Sequence, residues 1–135
     1  MSILRWGILG PAGIARKNWQ AIRLSGNGVL TAVASRQKSR AQSFIDALQA
    51  QAPFPTAPVA VEGYAELLRR DDIDAVYVPL PTGLRQEWVL AAAAAGKHVV
   101  CEKPCAPTAA ELRILIEACR SARVQFLDGL MFAHG

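Results

Sequence analysis

The chain lacks most of the features that mark secreted, membrane-bound or nucleic-acid-binding proteins. It has three cysteines, Cys101, Cys105 and Cys119, an odd number without a C-x-x-C pair. That count argues against a disulfide framework and a structural zinc site, so no metal is expected. Long apolar runs are missing as well. The longest bland stretch, Val89 to Ala95, lies between Glu87 and Lys97 and is too short to cross a bilayer. Arg5 and Gly7 interrupt the N-terminal apolar residues before any signal-like core develops. The net charge of +4 is scattered, with no lysine-rich tail and no basic run interleaved with aromatics, which gives nucleic-acid binding little support. Repeats, low-complexity tracts and flexible linkers are absent. The expectation is a soluble, cytoplasmic protein with neither a membrane nor a nucleic acid as partner.

What is present suits a single compact body: 135 residues, 52% of them hydrophobic, enough for one sizeable core. Its organising stretch is Ile3 to Ala15. An apolar run ends in the small-residue turn Gly10-Pro11-Ala12-Gly13, and a helix-compatible segment from Ile14 to Leu24 follows. Strand, tight turn and helix in that order bring backbone N–H groups at a helix N-terminus towards a bound phosphate. As the dinucleotide fingerprint G-x-G-x-x-G/A, the match is imperfect, with Ala12 at the second glycine position and Ala15 at the third. The alternative is a glycine-rich turn without a ligand.

Downstream, strands are expected at Val29 to Ala34, Val59 to Val61, Ala75 to Leu80, Lys97 to Cys101 and Val124 to Leu127. Between them lie helical patterns. From Gln37, Ala41, Phe44, Ile45 and Leu48 form one apolar stripe, with Lys38, Arg40 and Asp46 facing water. Tyr64 to Arg70 makes a brief helix, Thr82 caps another that Gly96 stops, and Thr108 to Glu111 is a capping box. Asp71, Asp72 and Asp74 read as a solvated turn. Strict alternation predicts an α/β fold: a Rossmann-type doubly wound parallel sheet, strand order 3-2-1-4-5-6, helices on both faces.

In that arrangement ligands bind beyond the carboxyl ends of the strands, between strands one and four. The same edge collects Gly10, Pro11, Ala12, Gly13 and Ile14, then Ser35 and Arg36 with Lys38 nearby, then Pro79, Leu80 and Thr82, then Glu102, Lys103 and Pro104. An acidic residue at the end of strand two would receive ribose hydroxyls. Ser35-Arg36 stands there instead, and an arginine fork suits a 2′-phosphate, so NADP(H) is preferred and NAD(H) is the second choice. Arg36 also speaks against an S-adenosylmethionine-type site.

The first turn, Ser35-Arg36 and the stretches Asp74 to Thr82 and Ala95-Gly96-Lys97-His98-Val99-Val100-Cys101-Glu102-Lys103-Pro104 together resemble the Gfo/Idh/MocA oxidoreductases. The resemblance implies an N-terminal NAD(P)-binding domain over 1–127, with 128–135 opening the connection to a substrate domain absent from this chain. It implies hydride transfer between NADP(H) and a hydroxyl-bearing carbon of a polyol or sugar-like substrate. By the same resemblance Lys103 is catalytic, near the substrate hydroxyl, Glu102 lies near the nicotinamide ribose and Pro104 shapes the backbone beside them. The family's proton-transferring His or Tyr would come from the absent half, and His134 is a poor replacement. Homo-oligomers would form through that half, and the apolar face it leaves exposed would favour self-association of the isolated chain. Thr82 and Arg85 depart from the family pattern; Arg85 could hold a phosphate, hold an acidic substrate or face solvent. The competing class is a stand-alone nucleotide-binding or redox-sensing module.

Overall fold

The structure is a computed structural model, and it describes residues 3–11, 13–101, 106 and 108–128. Among these residues six strands, β1 (Leu4–Leu9), β2 (Gly28–Ser35), β3 (Val59–Glu62), β4 (Ala75–Val78), β5 (His98–Cys101) and β6 (Phe126–Asp128), alternate with five helices. The helices are α1 (Ala15–Leu24), α2 (Lys38–Gln51), α3 (Tyr64–Leu68), α4 (Thr82–Ala94) and α5 (Ala109–Ser121). All five strand pairings are parallel, in the order β3-β2-β1-β4-β5-β6. The doubly wound expectation holds.

Strand periodicity explains why both faces are covered. Successive side chains point to opposite sides of a sheet, so a central strand apolar at every position must be packed twice. Val76 and Val78 of β4 enter one core with Leu9, Leu67, Val89, Leu115 and Cys119, beneath α3, α4 and α5. Ala75 and Tyr77 enter the other with Trp6, Ile8, Trp19, Ile22, Phe44 and Leu48, beneath α1 and α2. Trp19, wholly buried, donates its Nε1–H to the Ala52 carbonyl at 2.9 Å, so the indole is buried without an orphaned donor.

Boundaries shift where local chemistry dictates. β4 ends at Val78 rather than Leu80, since Pro79 has no N–H for the ladder. β6 starts at Phe126 rather than Val124, because the Val124 N–H is taken by the Cys119 carbonyl at 2.9 Å in the turn closing α5. Thr82 is the first residue of α4, and Pro81 occupies the N-cap position. Gly96 closes α4 with φ +78°, and the Thr108 hydroxyl accepts the Glu111 N–H at 3.1 Å, as the capping motif requires.

The aspartate turn corrects the sequence reading. Asp74 accepts three hydrogen bonds from Arg5 and so ties the approach to β4 to β1, while Asp72 pairs locally with Arg70 within the same turn, so two of the three carboxylates are engaged. Lys97 is not a plain strand residue either. It is buried, and its Nζ donates to the carbonyls of Arg70 at 2.6 Å and Ile73 at 2.7 Å; burial pushes its pKa down.

Candidate functional site

The carboxyl ends of β1, β2 and β4 and the helices that follow them enclose a cavity of about 910 Å³. That volume lies in the range of sites that hold cofactor-sized ligands. At the end of β1 the chain turns sharply at Gly10, with φ +109° and its N–H on the Ala34 carbonyl at 2.9 Å. A Cβ there would stand 3.0 Å from Leu80 Cδ2, so both the backbone angle and the space call for glycine. Pro11 continues the rim, and α1 begins at Ala15 with no side-chain cap on its first N–H groups.

β2 delivers Ser35 and Arg36 to the same rim. The Ser35 hydroxyl accepts the Gln37 N–H at 3.4 Å, and its carbonyl accepts the Gly63 N–H at 2.7 Å, which fixes the strand end while exposed Arg36 projects from it. Arg40, Ser43 and Ala47 recur along α2 at helical spacing and form one wall with Phe44. Opposite stand Pro79, Leu80, Pro81 and Leu84. Tyr64, braced edge-on against Trp88 at a ring separation of 5.1 Å, closes a third side. Arg16 completes a set of three arginines, and no carboxylate is found among the described lining residues. Such a donor set fits a polyanion and repels none.

Of the residues singled out in the sequence, Gly10, Pro11, Ser35, Arg36, Pro79 and Leu80 line this cavity. Gly13 and Ile14 stand at the head of α1, outside the described lining. Lys38 is likewise outside it, opening α2 with its N–H on Glu62 Oε1 at 3.3 Å. Thr82 opens α4. Ala12, Glu102, Lys103, Pro104, Cys105 and His134 lie outside the described residues, as does the connection expected after Asp128.

The sequence reading missed Arg16, Tyr64 and Arg40. The helical pattern let Arg40 face water; it is exposed, and it also lines the cavity. The available signal was its position five residues past Ser35, one helical turn away from the core residue Phe44. Arg85 is a clear correction. It is 8% exposed, and Nε and Nη2 both donate to the Leu80 carbonyl, at 3.1 and 2.9 Å. It neither faces solvent nor appears among the described residues lining the cavity.

Residues 4–129 match the family model described as oxidoreductase family, NAD-binding Rossmann fold. The chain is similar to D-xylose 1-dehydrogenase (NADP(+)) 2 of Haloferax volcanii, at 38% identity over 129 residues, covering 96% of this chain and 38% of that protein. It is similar to dTDP-3,4-didehydro-2,6-dideoxy-alpha-D-glucose 3-reductase of Actinomadura kijaniata, at 39% identity over 132 residues, covering 97% of this chain and 37% of that protein. The crystal structure of KijD10, a 3-ketoreductase from Actinomadura kijaniata in complex with NADP, superposes with a TM-score of 0.86 at 36% identity, over 99% of this chain and 41% of that one. The chain thus spans less than two-fifths of the length of these two curated relatives. Among the described residues no helix is long and apolar enough to cross a membrane.

Proposed function

The chain belongs to the oxidoreductase family with the NAD-binding Rossmann fold, and from that premise we propose that it is the cofactor-binding part of an NADP(H)-dependent oxidoreductase. The enzyme would exchange hydride with a hydroxyl-bearing carbon of a sugar, cyclitol or related compound. On this reading residues 1–127 form the cofactor domain and 128–135 open a connection to a substrate domain. The observation that carries the cofactor choice is the arginine set, Arg16, Arg36 and Arg40, around a cavity with no carboxylate among its described lining residues. Relatives whose names or titles carry NADP and a sugar support the rest.

The parts act as follows. Arg36 and Arg40 grip the 2′-phosphate in charge-assisted hydrogen bonds, and Ser35 adds its hydroxyl. Gly10 lets the backbone come close to the pyrophosphate, and the buried Pro79 and Leu80 form a dry wall that strengthens those contacts. When bound, the nicotinamide supplies the hydride donor or acceptor. Lys103 follows Cys101 by two positions in the sequence, and on this reading it is assigned to the reacting carbon of the substrate. There its ammonium stabilises charge developing on the substrate oxygen and orients the reacting carbon. On the same reading Glu102 is assigned to the nicotinamide ribose and Pro104 to shaping the backbone beside Lys103. The second proton-transferring group belongs to the substrate domain. The small number of cysteines and the burial of Cys101 and Cys119 are the ground for proposing a reducing, cytoplasmic compartment.

Titration of the chain with NADPH and NADH tests this reading. NADPH is expected to bind at least about tenfold more tightly, the worth of one charge-assisted contact to the extra phosphate. Equal affinities would remove the assignment.

A further inference from the structure

Arg85 is a cation drawn into the protein and committed to a main-chain carbonyl. It stands in the first turn of α4, where its own N–H and that of Leu84 both donate to the Pro81 carbonyl, at 3.1 and 2.9 Å. From there the guanidinium reaches back over the turn and places two donors on the Leu80 carbonyl. Burying a guanidinium is costly unless its N–H groups meet acceptors, so this geometry is strongly specified.

The turn it grips is hard to hold in any other way. Pro79 and Pro81 have no N–H to donate, which leaves carbonyls as the main handles on Pro79-Leu80-Pro81. With the Leu80 carbonyl drawn towards Arg85, the Leu80 side chain is buried against the opposite wall, 3.0 Å from where a Cβ on Gly10 would stand. The spacing between the β1 turn and the β4 turn, across the switch point of the sheet, is therefore fixed through Leu80.

We propose that Arg85 is a positioning residue for the dinucleotide: by holding the Leu80 carbonyl it fixes the lip of the crevice facing Gly10, and so the part that takes the cofactor beyond its 2′-phosphorylated adenosine end. This rests on the NADP(H) reading above. The planar fork is what lets one side chain set the direction of a carbonyl with two bonds; an ammonium cannot do so.

The experiment compares two ligands on the whole chain, NADPH and adenosine 2′,5′-bisphosphate, which has only the arginine-held end. In Arg85→Met, NADPH affinity falls by about tenfold or more, while bisphosphate affinity changes less than about twofold. Arg85→Lys falls between wild type and Arg85→Met. A merely structural role would lower both affinities together, so a constant ratio of the two, or no change in either, overturns the proposal. If wild type binds neither ligand, the NADP(H) reading fails first and this one with it. Should Arg85→Met fail to fold, Arg85→Lys and Leu80→Ala are combined in a double-mutant cycle. Their effects on NADPH affinity are then expected to be strongly non-additive, and additive effects overturn the proposal.

Discussion

Arg5 and Asp74 join β1 to β4 at the edge of the sheet opposite the crevice. Arg5 Nε donates to Asp74 Oδ2 at 3.0 Å, Nη2 to Oδ1 at 2.9 Å and the backbone N–H to Oδ2 at 2.9 Å, while the Asp74 N–H returns to the Arg5 carbonyl at 2.7 Å. These are the two strands whose other ends flank the proposed cofactor site. One end of the seam is clasped by side chains, and the other is left open for a ligand.

The clasp has a pH signature. The side-chain hydrogen bond from Arg5 holds the Asp74 carboxyl below its ordinary 3.8, against the opposing effect of burial. A carboxyl with a depressed folded-state pKa adds stability that is fully present above its unfolded value and is lost as pH falls through the folded one. Asp74→Asn should therefore melt at a lower temperature than wild type at pH 7, and the gap should close below about pH 4. Thermal denaturation across that range checks this; a gap persisting into strong acid would count against the clasp.

Cofactor choice should follow the arginines. Arg36→Glu is expected to abolish or reverse the preference for NADPH over NADH, because a carboxylate repels the 2′-phosphate and accepts ribose hydroxyls. Arg40→Ala should weaken NADPH by about tenfold and NADH by less than about twofold. Fluorescence titration reads both, and an unchanged NADPH to NADH ratio in the two variants would leave the cavity without its proposed ligand.

Two glycines of β1 and its turn should separate stability from binding. At Gly7 a Cβ would stand 2.8 Å from Leu67 Cδ2 and 2.9 Å from Ile73 Cδ1, inside the core. Gly7→Ala should cost about 1–3 kcal/mol of stability by overpacking while folded protein keeps its NADPH affinity. Gly10→Ala should cost about 1–3 kcal/mol through its left-handed backbone and also weaken NADPH binding. Urea denaturation with cofactor titration distinguishes them; equal NADPH affinity in both variants would argue against Gly10 as the phosphate turn.

In an enzyme carrying this domain together with its substrate domain, Lys103→Ala should reduce kcat by about 10²–10³-fold, the usual loss on removing a donor to a developing oxyanion. NADPH affinity should change little. Steady-state kinetics beside direct cofactor titration make the comparison, and undiminished turnover would return Lys103 to a structural role.

Much of the site was legible because it follows from short-range rules. Gly10, Ser35, Arg36, Pro79 and Leu80 were placed on one edge by strand order alone, and the cavity brings them together. Arg40 was misjudged because helical periodicity says which residues face the core, not whether an outward residue meets water or a cleft. Arg85 was open to three readings because it donates twice to a backbone carbonyl, and a carbonyl leaves no mark in a residue pattern.

The sequence by itself determined the alternation of strands and helices, and with it the sheet order and the edge where a ligand would bind, since periodicity, turn residues and the handedness of parallel crossovers leave few alternatives. Only the tertiary structure decided which charges are engaged. Asp74 finds Arg5 across 69 positions, Lys97 finds two carbonyls over 20 residues away, and Arg85 turns inwards while Arg16 and Arg40 turn to the cavity. Those outcomes depend on distances through space between groups far apart along the chain, and electrostatic and hydrogen-bond energies are set by those distances.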